Sequence, residues 1–262
     1  NEEVFASTGG RPLDKNKPLI IFVHGSGLTH MCWVLQARSF AFHGYSVLAL
    51  DLPGHGLSGG KSLQSIEEMA DWISDVLDAV SFKEASLVGH SQGCLVTIEC
   101  AARYPEKIKT ISLMGGSGVI PMNPELLLLA EKNDPKAVDL MMDFAHGPSG
   151  HFGGHPVPGL YHLNTGSMLV QSKEIKNTLG VDFRACDNYK NGFQAAKKIN
   201  VPTLCILGDE DKMCPVKEGE KLADKIKKSE VNIIEKSGHM MLLEEADKTL
   251  AILKEHITRS AL

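Results

Sequence analysis

Short apolar runs that are followed by glycine, histidine or aspartate recur along this chain of 262 residues. They cover residues 19–23, 46–50, 85–88 and 108–114, and two further strand-like segments cover residues 202–207 and 231–234. A short and continuous apolar run is typical of a strand that is buried on both faces, as in a parallel sheet. The pattern therefore predicts a sheet that is covered by other elements on both sides.

Helical patterns lie between the predicted strands. The clearest pattern places apolar residues at spacings of three and four, which puts them on one face of a helix: Ile66, Met69, Ala70, Ile73, Val76, Leu77 and Val80. A second helix contains Leu95 and Ile98 and is expected to end before Pro105. Further helices are predicted over residues 216–226 and 242–257. This alternation predicts an α/β fold with a mostly parallel central sheet and helices on both faces.

The segment of residues 118–189 interrupts the alternation. It contains helical fragments at 124–132 and 137–144 and a loop rich in Gly, Pro and His over 147–156, but no strong strand pattern. We interpret it as a mainly helical cap inserted into the α/β core. The predicted core then consists of residues 1–117 and 190–262.

The composition is that of an ordinary folded protein, with 43% hydrophobic and 23% charged residues. The net charge of −5 disfavours a protein that binds nucleic-acid phosphates, and no stretch approaches the ~20 apolar residues of a membrane span. The six cysteines form no CxxC pair, so we interpret them as mostly buried thiols. They indicate a cytoplasmic location, although a signal peptide removed beforehand is also compatible with the sequence. The oligomeric state stays open between monomer and homodimer.

The pentapeptide GHSQG at residues 89–93 matches the pattern G-x-S-x-G between a predicted strand and a predicted helix. A sharp turn at this place requires small residues two positions before and after the serine. The turn would present the Ser91 hydroxyl at a helix N-terminus, where free backbone N–H groups favour a developing negative charge. Ser91 is therefore the predicted nucleophile.

A serine hydroxyl needs a base that takes its proton. Among the 11 histidines, His239 follows the last predicted strand, so that its loop can reach the carboxyl edge of the sheet. The base needs a carboxylate that orients it. Asp211 is favoured for this role because it lies far enough along its loop to turn towards His239, and Asp209 is the alternative.

An oxyanion hole is the remaining requirement of acyl transfer. One donor is expected to be the backbone N–H of Gln92, directly after the nucleophile. The second is expected from the loop His24-Gly25-Ser26-Gly27 after the first apolar run, with the N–H of Ser26 as the candidate. Each donor typically lowers the barrier by roughly 3 kcal/mol.

With these motifs, the sequence resembles the α/β-hydrolase superfamily in its esterase/lipase-like serine hydrolase branch. The resemblance depends on the order Ser91, Asp211, His239, on the segments 24–27 and 51–58, and on the pentapeptide. It implies a small-molecule ester as substrate and structural roles for the histidines of the two segments, His24 and His55. The expected reaction requires neither a metal nor an organic cofactor.

A serine nucleophile indicates acyl transfer, and hydrolysis of carboxylic esters with small or medium acyl or alcohol groups is the expected reaction. A thioesterase, a lipase and a C–C bond hydrolase of the meta-cleavage-product type are alternatives that use the same triad. C–C hydrolases that this chain resembles usually carry an aromatic residue after the base, whereas Met240 follows His239 here. A ligand receptor without efficient turnover is a further alternative from a different class.

Four residues near the predicted loops are expected to line the substrate pocket: Gly25, His30, Trp33 and Met240. Cys94 is interpreted as a packing residue. Four histidines of the predicted cap, His146, His151, His155 and His162, match no zinc-ligand spacing and are interpreted as part of a polar loop. No metal site is therefore predicted.

Overall fold

The computed structural model describes residues 3–151, 154–173 and 177–260. Within these residues one sheet has the strand order β1-β3-β2-β4-β5-β6-β7. The strands are β1 (Ala6–Ser7), β2 (Leu19–Val23), β3 (Ser46–Leu50), β4 (Ala85–His90), β5 (Ile108–Met114), β6 (Thr203–Gly208) and β7 (Ser229–Ile234). β1 pairs antiparallel with β3, and every other pair of neighbours is parallel. The predicted α/β fold with a mostly parallel sheet is confirmed.

The described helices cover both faces of this sheet. They are α1 (Val34–Ala41), α2 (Ile66–Ala79), α3 (Gln92–Arg103), α4 (Pro124–Glu131), α5 (Lys136–Ala145), α6 (Pro158–Lys173), α7 (Thr178–Asn188), α8 (Gly192–Ala196), α9 (Val216–Ala223), α10 (Met241–Glu244) and α11 (Ala246–Arg259). Short 3-10 helices lie at His30–Trp33 and Pro105–Lys107.

Strand β2 explains why its sequence is continuously apolar. Leu19, Ile21 and Val23 belong to a hydrophobic cluster that includes α2 and α3, whereas Ile20 and Phe22 belong to a cluster that includes α1 and α11. Successive side chains of a strand point to opposite faces, so burial on both faces requires an apolar residue at every position. The β2 side chains are all buried.

Two predicted helices have different bounds in the structure. The helix predicted over 242–257 is divided into α10 and α11, because Glu245 leaves the helical region with φ −129° and ψ 50°. The helix predicted over 216–226 ends at Ala223, and Asp224 caps it. Strand β1 and helices α1, α6, α7 and α8 had no clear signal in the sequence.

The segment of residues 118–189 contains α4, α5, α6 and α7, and no strand occurs in its described part. Two of these helices coincide with the predicted helical fragments. The predicted loop over 147–156 includes residues 152 and 153, which lie outside the described residues. Side chains of α6 and α7 contact the loop after β2, and Gly147 lies against the loop after β7. The segment thus meets the carboxyl edge of the sheet.

Candidate active site

Ser91 lies in the sharp turn between β4 and α3. Its backbone has φ 55° and ψ −120°, a conformation that costs a non-glycine residue about 1–3 kcal/mol. A Cβ atom on Gly89 would lie 2.3 Å from the carbonyl oxygen of Gly93, and one on Gly93 would lie 2.3 Å from that of Val23. Close packing of backbone on backbone therefore explains both glycines of the pentapeptide, and it holds Ser91 in its strained conformation.

Asp211 and His239 form a buried pair. The Nδ1 atom of His239 lies 2.8 Å from Oδ2 of Asp211, and both side chains are almost inaccessible to solvent. The other oxygen of Asp211 accepts the backbone N–H groups of Met213 and Cys214, each at 2.8 Å. The carboxylate thus faces Nδ1 as an acceptor, so in a neutral imidazole the proton resides on Nδ1.

The second ring nitrogen of His239 has a different environment. Its Nε2 atom is buried and has no hydrogen-bond partner among the described residues. A neutral imidazole with its proton on Nδ1 carries a lone pair at Nε2, which is the atom that a general base uses. The alternative acid, Asp209, instead accepts the backbone N–H of Ser237 at 3.3 Å.

His90 contacts the same histidine and was not singled out by the sequence. Its Nε2–H donates to the backbone carbonyl oxygen of His239 at 2.9 Å, and the two ring centroids are 4.8 Å apart. Burial lowers the pKa of His90 to about 3, with a contribution from the neighbouring His239, so the His90 ring is neutral. Its position directly before Ser91 in the pentapeptide was the available signal.

The loop after β2 lies against the nucleophile. A Cβ atom on Gly25 would lie 3.0 Å from Cβ of Ser91, and the N–H of Leu28 closes a turn onto the carbonyl oxygen of Gly25 at 3.1 Å. Within the described residues, the backbone N–H groups of Ser26 and Gln92 donate to no protein acceptor. Both groups are therefore available to an oxygen atom of a ligand beside Ser91.

His24 and His55 make structural contacts. The Nδ1–H of His24 donates to the carbonyl oxygen of Gly25 at 2.8 Å, and its Nε2 accepts the N–H of Leu52 at 3.2 Å. Burial lowers the pKa of His24 to about 4. His55 pairs with Asp182 of α7 at 2.9 Å. Neither histidine hydrogen-bonds Ser91, Asp211 or His239 in the described structure.

The residues predicted to line the pocket have diverse environments. Gly25 lies beside Ser91, whereas Nδ1 of His30 hydrogen-bonds Asp51 at 2.9 Å. Trp33 is completely buried and packs against the rings of Phe22 and His90. Met240 is also completely buried, and its N–H donates to Glu244 at 3.1 Å.

A cavity of about 460 Å³ lies next to the Asp211 loop and is lined by none of those four residues. Its walls come from α4, α5 and the loops beside them, and they include Met122, Leu126, Met141, Phe144, Lys212 and Met213. Lys212 and Met213 follow Asp211 directly in the sequence, and that adjacency was the available signal. The lining is mostly apolar, as is typical of small-molecule pockets.

The histidines of the middle segment differ in exposure: His146 and His155 are buried, His151 is half-buried and His162 is exposed. His146 is completely buried, and its ring lies 5.4 Å from that of His155 and 4.7 Å from that of Tyr161. Across the part of the chain that the structure describes, no group of three or more His, Cys, Asp or Glu residues is arranged to hold a metal ion.

The cysteine side chains show no sign of reactivity. All six cysteines are buried and free, and the Cys94 thiol donates to the carbonyl oxygens of Gly89 and Met114, each at 3.3 Å. Burial raises the pKa of the Cys94 thiol, which disfavours the thiolate. None of the helices in the described ranges is long and apolar enough to cross a membrane.

Comparisons with curated proteins reveal relatives over nearly the whole chain. The sequence is 28% identical to the "Dihydrolipoyllysine-residue acetyltransferase component of acetoin cleaving system" of Pseudomonas putida, over 96% of this chain and 69% of that protein. It is 26% identical to the "2-hydroxy-6-oxononadienedioate/2-hydroxy-6-oxononatrienedioate hydrolase" of a Pseudomonas species, over 92% of this chain and 88% of that protein. Another matched protein is longer, and the chain spans 55% of it.

Among solved structures, a thermophilic esterase from Thermogutta terrifontis superposes with a TM-score of 0.85. The match covers 99% of this chain and 94% of the esterase, and the sequences are 19% identical, a level at which the likeness concerns the fold. Residues 20–252 match the model of the alpha/beta hydrolase family. Because this match includes most of the chain and the sheet has the corresponding architecture, the protein belongs to the alpha/beta hydrolase family.

Proposed function

We propose that this hydrolase cleaves carboxylic esters with small or medium acyl or alcohol groups, through an acyl-enzyme on Ser91. The observation that carries the proposal is the Asp211–His239 pair, with 2.8 Å between Oδ2 and Nδ1 and with Nε2 unpartnered among the described residues. A histidine with one nitrogen on a carboxylate and the other free is what a serine nucleophile requires of its base.

The first half-reaction forms the acyl-enzyme. Nε2 of His239 takes the hydroxyl proton of Ser91 while Oγ attacks the carbonyl carbon, and the carbonyl electron pair moves to the oxygen. The N–H groups of Ser26 and Gln92 donate to this oxyanion. When the carbonyl reforms, the C–O bond to the alcohol breaks, and the leaving alkoxide receives the proton from His239.

The second half-reaction releases the acid. His239 removes a proton from water, and the resulting hydroxide attacks the acyl carbon and forms a second oxyanion at the same donors. Collapse expels Oγ of Ser91, which recovers its proton from His239. Asp211 stabilises the imidazolium that forms in both halves and keeps the ring in one orientation.

The substrate size is inferred from the cavity beside the Asp211 loop. Its volume of about 460 Å³ lies in the range of small-molecule sites, and its walls include Met122, Met141 and Met213. Methionine side chains are flexible and adapt to apolar groups of different shape. We propose that residues 118–189 form a cap on a core of residues 1–117 and 190–262, and that the cap supplies most of the pocket.

The six buried, free cysteines support a cytoplasmic location.

A C–C bond hydrolase is the second candidate. The relative named as a hydrolase of 2-hydroxy-6-oxo dienedioates is similar to this chain over 92% of this chain's length, which favours this alternative. The same triad would serve both reactions. Met240, directly after His239, favours ester hydrolysis over C–C bond hydrolysis. The C–C hydrolases that the sequence resembles usually carry an aromatic residue after the base histidine.

The test compares p-nitrophenyl esters of increasing acyl length with a 2-hydroxy-6-oxo-dienoate. We expect multiple turnover of the shorter esters, a much slower reaction of the dienoate, and loss of both in Ser91→Ala with little change in Tm. Ser39→Ala, a substitution on α1, is the matched control and should retain full activity. Ester turnover that persists in Ser91→Ala would contradict the proposal, and a faster reaction of the dienoate would favour the second candidate.

A further inference from the structure

Helix α7 presents one face to the loop of residues 25–27, which we call the oxyanion loop. Leu179, Asp182 and Cys186 follow each other at spacings of three and four, so they lie on the same side of the helix. A Cβ atom on Gly27 would lie 2.9 Å from Cδ1 of Leu179, and Oγ of Ser26 lies 3.8 Å from Sγ of Cys186. Gly25, at the start of this loop, lies against Ser91.

Asp182 holds this loop through one carboxylate oxygen. Oδ2 accepts the backbone N–H of Gly27 at 2.8 Å and the Nε2–H of His55 at 2.9 Å. The Asp182 side chain is completely buried. A charge-assisted hydrogen bond to a backbone N–H is stronger than a neutral one, and it is stronger still where water is absent.

His55 supplies the positive charge that compensates Asp182. Its Nδ1 lies 3.1 Å from the carbonyl oxygen of Pro53, and its Nε2 lies 2.9 Å from the carboxylate. Neither oxygen carries a proton, so both ring nitrogens donate and the ring is an imidazolium. Burial by itself lowers the pKa of His55, but the charge and hydrogen bond of Asp182 outweigh it, and the pKa is raised.

Gln171 of α6 also hydrogen-bonds the backbone of Gly27. Its Nε2 donates to the carbonyl oxygen of Gly27 at 3.0 Å, and its Oε1 accepts the N–H of Gly56 at 2.9 Å. Both backbone polar groups of Gly27 are therefore bound by side chains of the middle segment. Ser26 lies between Gly27, which is held in this way, and Gly25, which is packed against Ser91.

We propose that Asp182 is a positioning residue for ester hydrolysis, which fixes the oxyanion loop so that the N–H of Ser26 points at the developing oxyanion. The inference rests on the proposed function. It implies that docking of α6 and α7 completes the catalytic site, in addition to covering the substrate. Removal of a whole oxyanion donor typically costs about 10²–10³ in kcat, so a misplaced donor should cost roughly ten- to a hundredfold.

The experiment uses the full chain with Asp182→Asn and measures kcat and KM on p-nitrophenyl acetate. We expect kcat to fall by roughly ten- to a hundredfold, with KM changed by less than about twofold, because the lost interaction acts mainly in the transition state. Asp187→Asn is the matched control. Asp187 lies on the same helix and also accepts a backbone N–H, that of Met122 at 3.1 Å, but it does not contact the oxyanion loop.

A second readout separates positioning from folding. Ser91 adds to a trifluoromethyl ketone, and the resulting hemiketal oxyanion needs the same donors, whereas an unreactive amide of the same shape does not. Asp182→Asn should weaken inhibition by the ketone by the same factor as kcat and leave inhibition by the amide unchanged. If Asp182→Asn does not fold, Gln171→Met should produce a smaller loss of the same kind, because it removes only neutral hydrogen bonds.

The contradicting results are distinct. If Asp182→Asn, or Gln171→Met in its place, lowers Tm but matches Asp187→Asn in kcat and in ketone inhibition, the side chains of α6 and α7 that bind Gly27 have only a structural role and the inference is wrong. If the wild-type protein neither turns over esters nor is labelled at Ser91 by a fluorophosphonate, the proposed function is wrong, and the inference fails with it.

Discussion

Two fully buried His–Asp pairs of the described structure have nearly the same geometry. Nδ1 of His239 lies 2.8 Å from Asp211, and Nε2 of His55 lies 2.9 Å from Asp182. They differ at the second ring nitrogen, which in His239 has no hydrogen-bond partner among the described residues but in His55 faces a carbonyl oxygen. A free lone pair makes the first histidine a candidate base, whereas two acceptors make the second a buried cation. The environment of the ring nitrogen that does not face the aspartate therefore distinguishes a candidate base from a structural cation.

The largest expected effect is that of His239→Ala. The substitution removes the proposed base, so kcat on p-nitrophenyl acetate should fall by about 10⁴-fold or more, as in serine hydrolases that lose a triad member. Steady-state kinetics and the Tm of the variant provide the measurement. If a folded variant keeps more than a tenth of the activity, His239 is not the base.

The second prediction compares the carboxylates of Asp211 and Asp209. Asp211→Asn should lower kcat by about 10⁴-fold, because the amide either cannot accept the Nδ1–H of His239 or favours the wrong tautomer. Asp209→Asn is the matched control, since Asp209 accepts only a backbone N–H from Ser237, and its activity should stay within about twofold. Equal losses in both variants would remove the distinction between the two carboxylates.

The third prediction concerns stability and the other pair. His55→Gln leaves Asp182 buried without its cation, which should reduce the free energy of unfolding by about 3–5 kcal/mol at pH 6. Urea unfolding provides the measurement.

The loss of unfolding free energy in His55→Gln should become smaller as the pH rises. Burial lowers the pKa of His55, but Asp182, with smaller contributions from the Pro53 carbonyl and Asp51, outweighs it, so the pKa in the folded protein is raised above 6.5 while the nearby His24 is neutral. The stabilisation by the pair is therefore complete below pH 6.5 and decreases as the pH rises through the folded pKa. The difference between wild type and His55→Gln should shrink from pH 6 to pH 9. His43→Gln, an exposed control, should show no such trend.

The smallest expected effect is that of His90→Phe. It removes the hydrogen bond to the carbonyl oxygen of His239 but keeps a ring of similar size beside it. A net contribution of about 1 kcal/mol corresponds to a loss of roughly fivefold in kcat. A loss as large as that of His239→Ala would indicate that His90 takes part in the chemistry itself.

The sequence predicted strands β2 to β6 because burial on both faces leaves an apolar run, as in β2, whereas β1 had no such signal. It also predicted the turn at Ser91, since the backbone contacts of Gly89 and Gly93 exclude any side chain. These signals are local. Steric demand and strand period act over a few residues, and a single sequence displays them directly.

The side-chain contacts that fix the oxyanion loop could not be predicted from any local sequence pattern. Asp182 lies 155 residues from Gly27 and 127 residues from His55 along the chain, and the contacts arise only when α7 docks. The cavity has the same origin, because α4 and α5 meet the Asp211 loop only in the folded state. Trp33 and Met240 were predicted at the pocket from their position in the sequence, and both side chains are completely buried in a hydrophobic cluster, which a single sequence does not display.

The most direct test of the central claim is the mass of the protein after brief mixing with excess p-nitrophenyl acetate and acid quenching. The account predicts one added acetyl group on the wild-type protein, located by peptide fragmentation at Ser91, and none on Ser91→Ala. It further predicts that the group disappears once the ester is consumed. An unmodified wild-type protein that still turns over the ester, or an acetyl group on another residue, would contradict it.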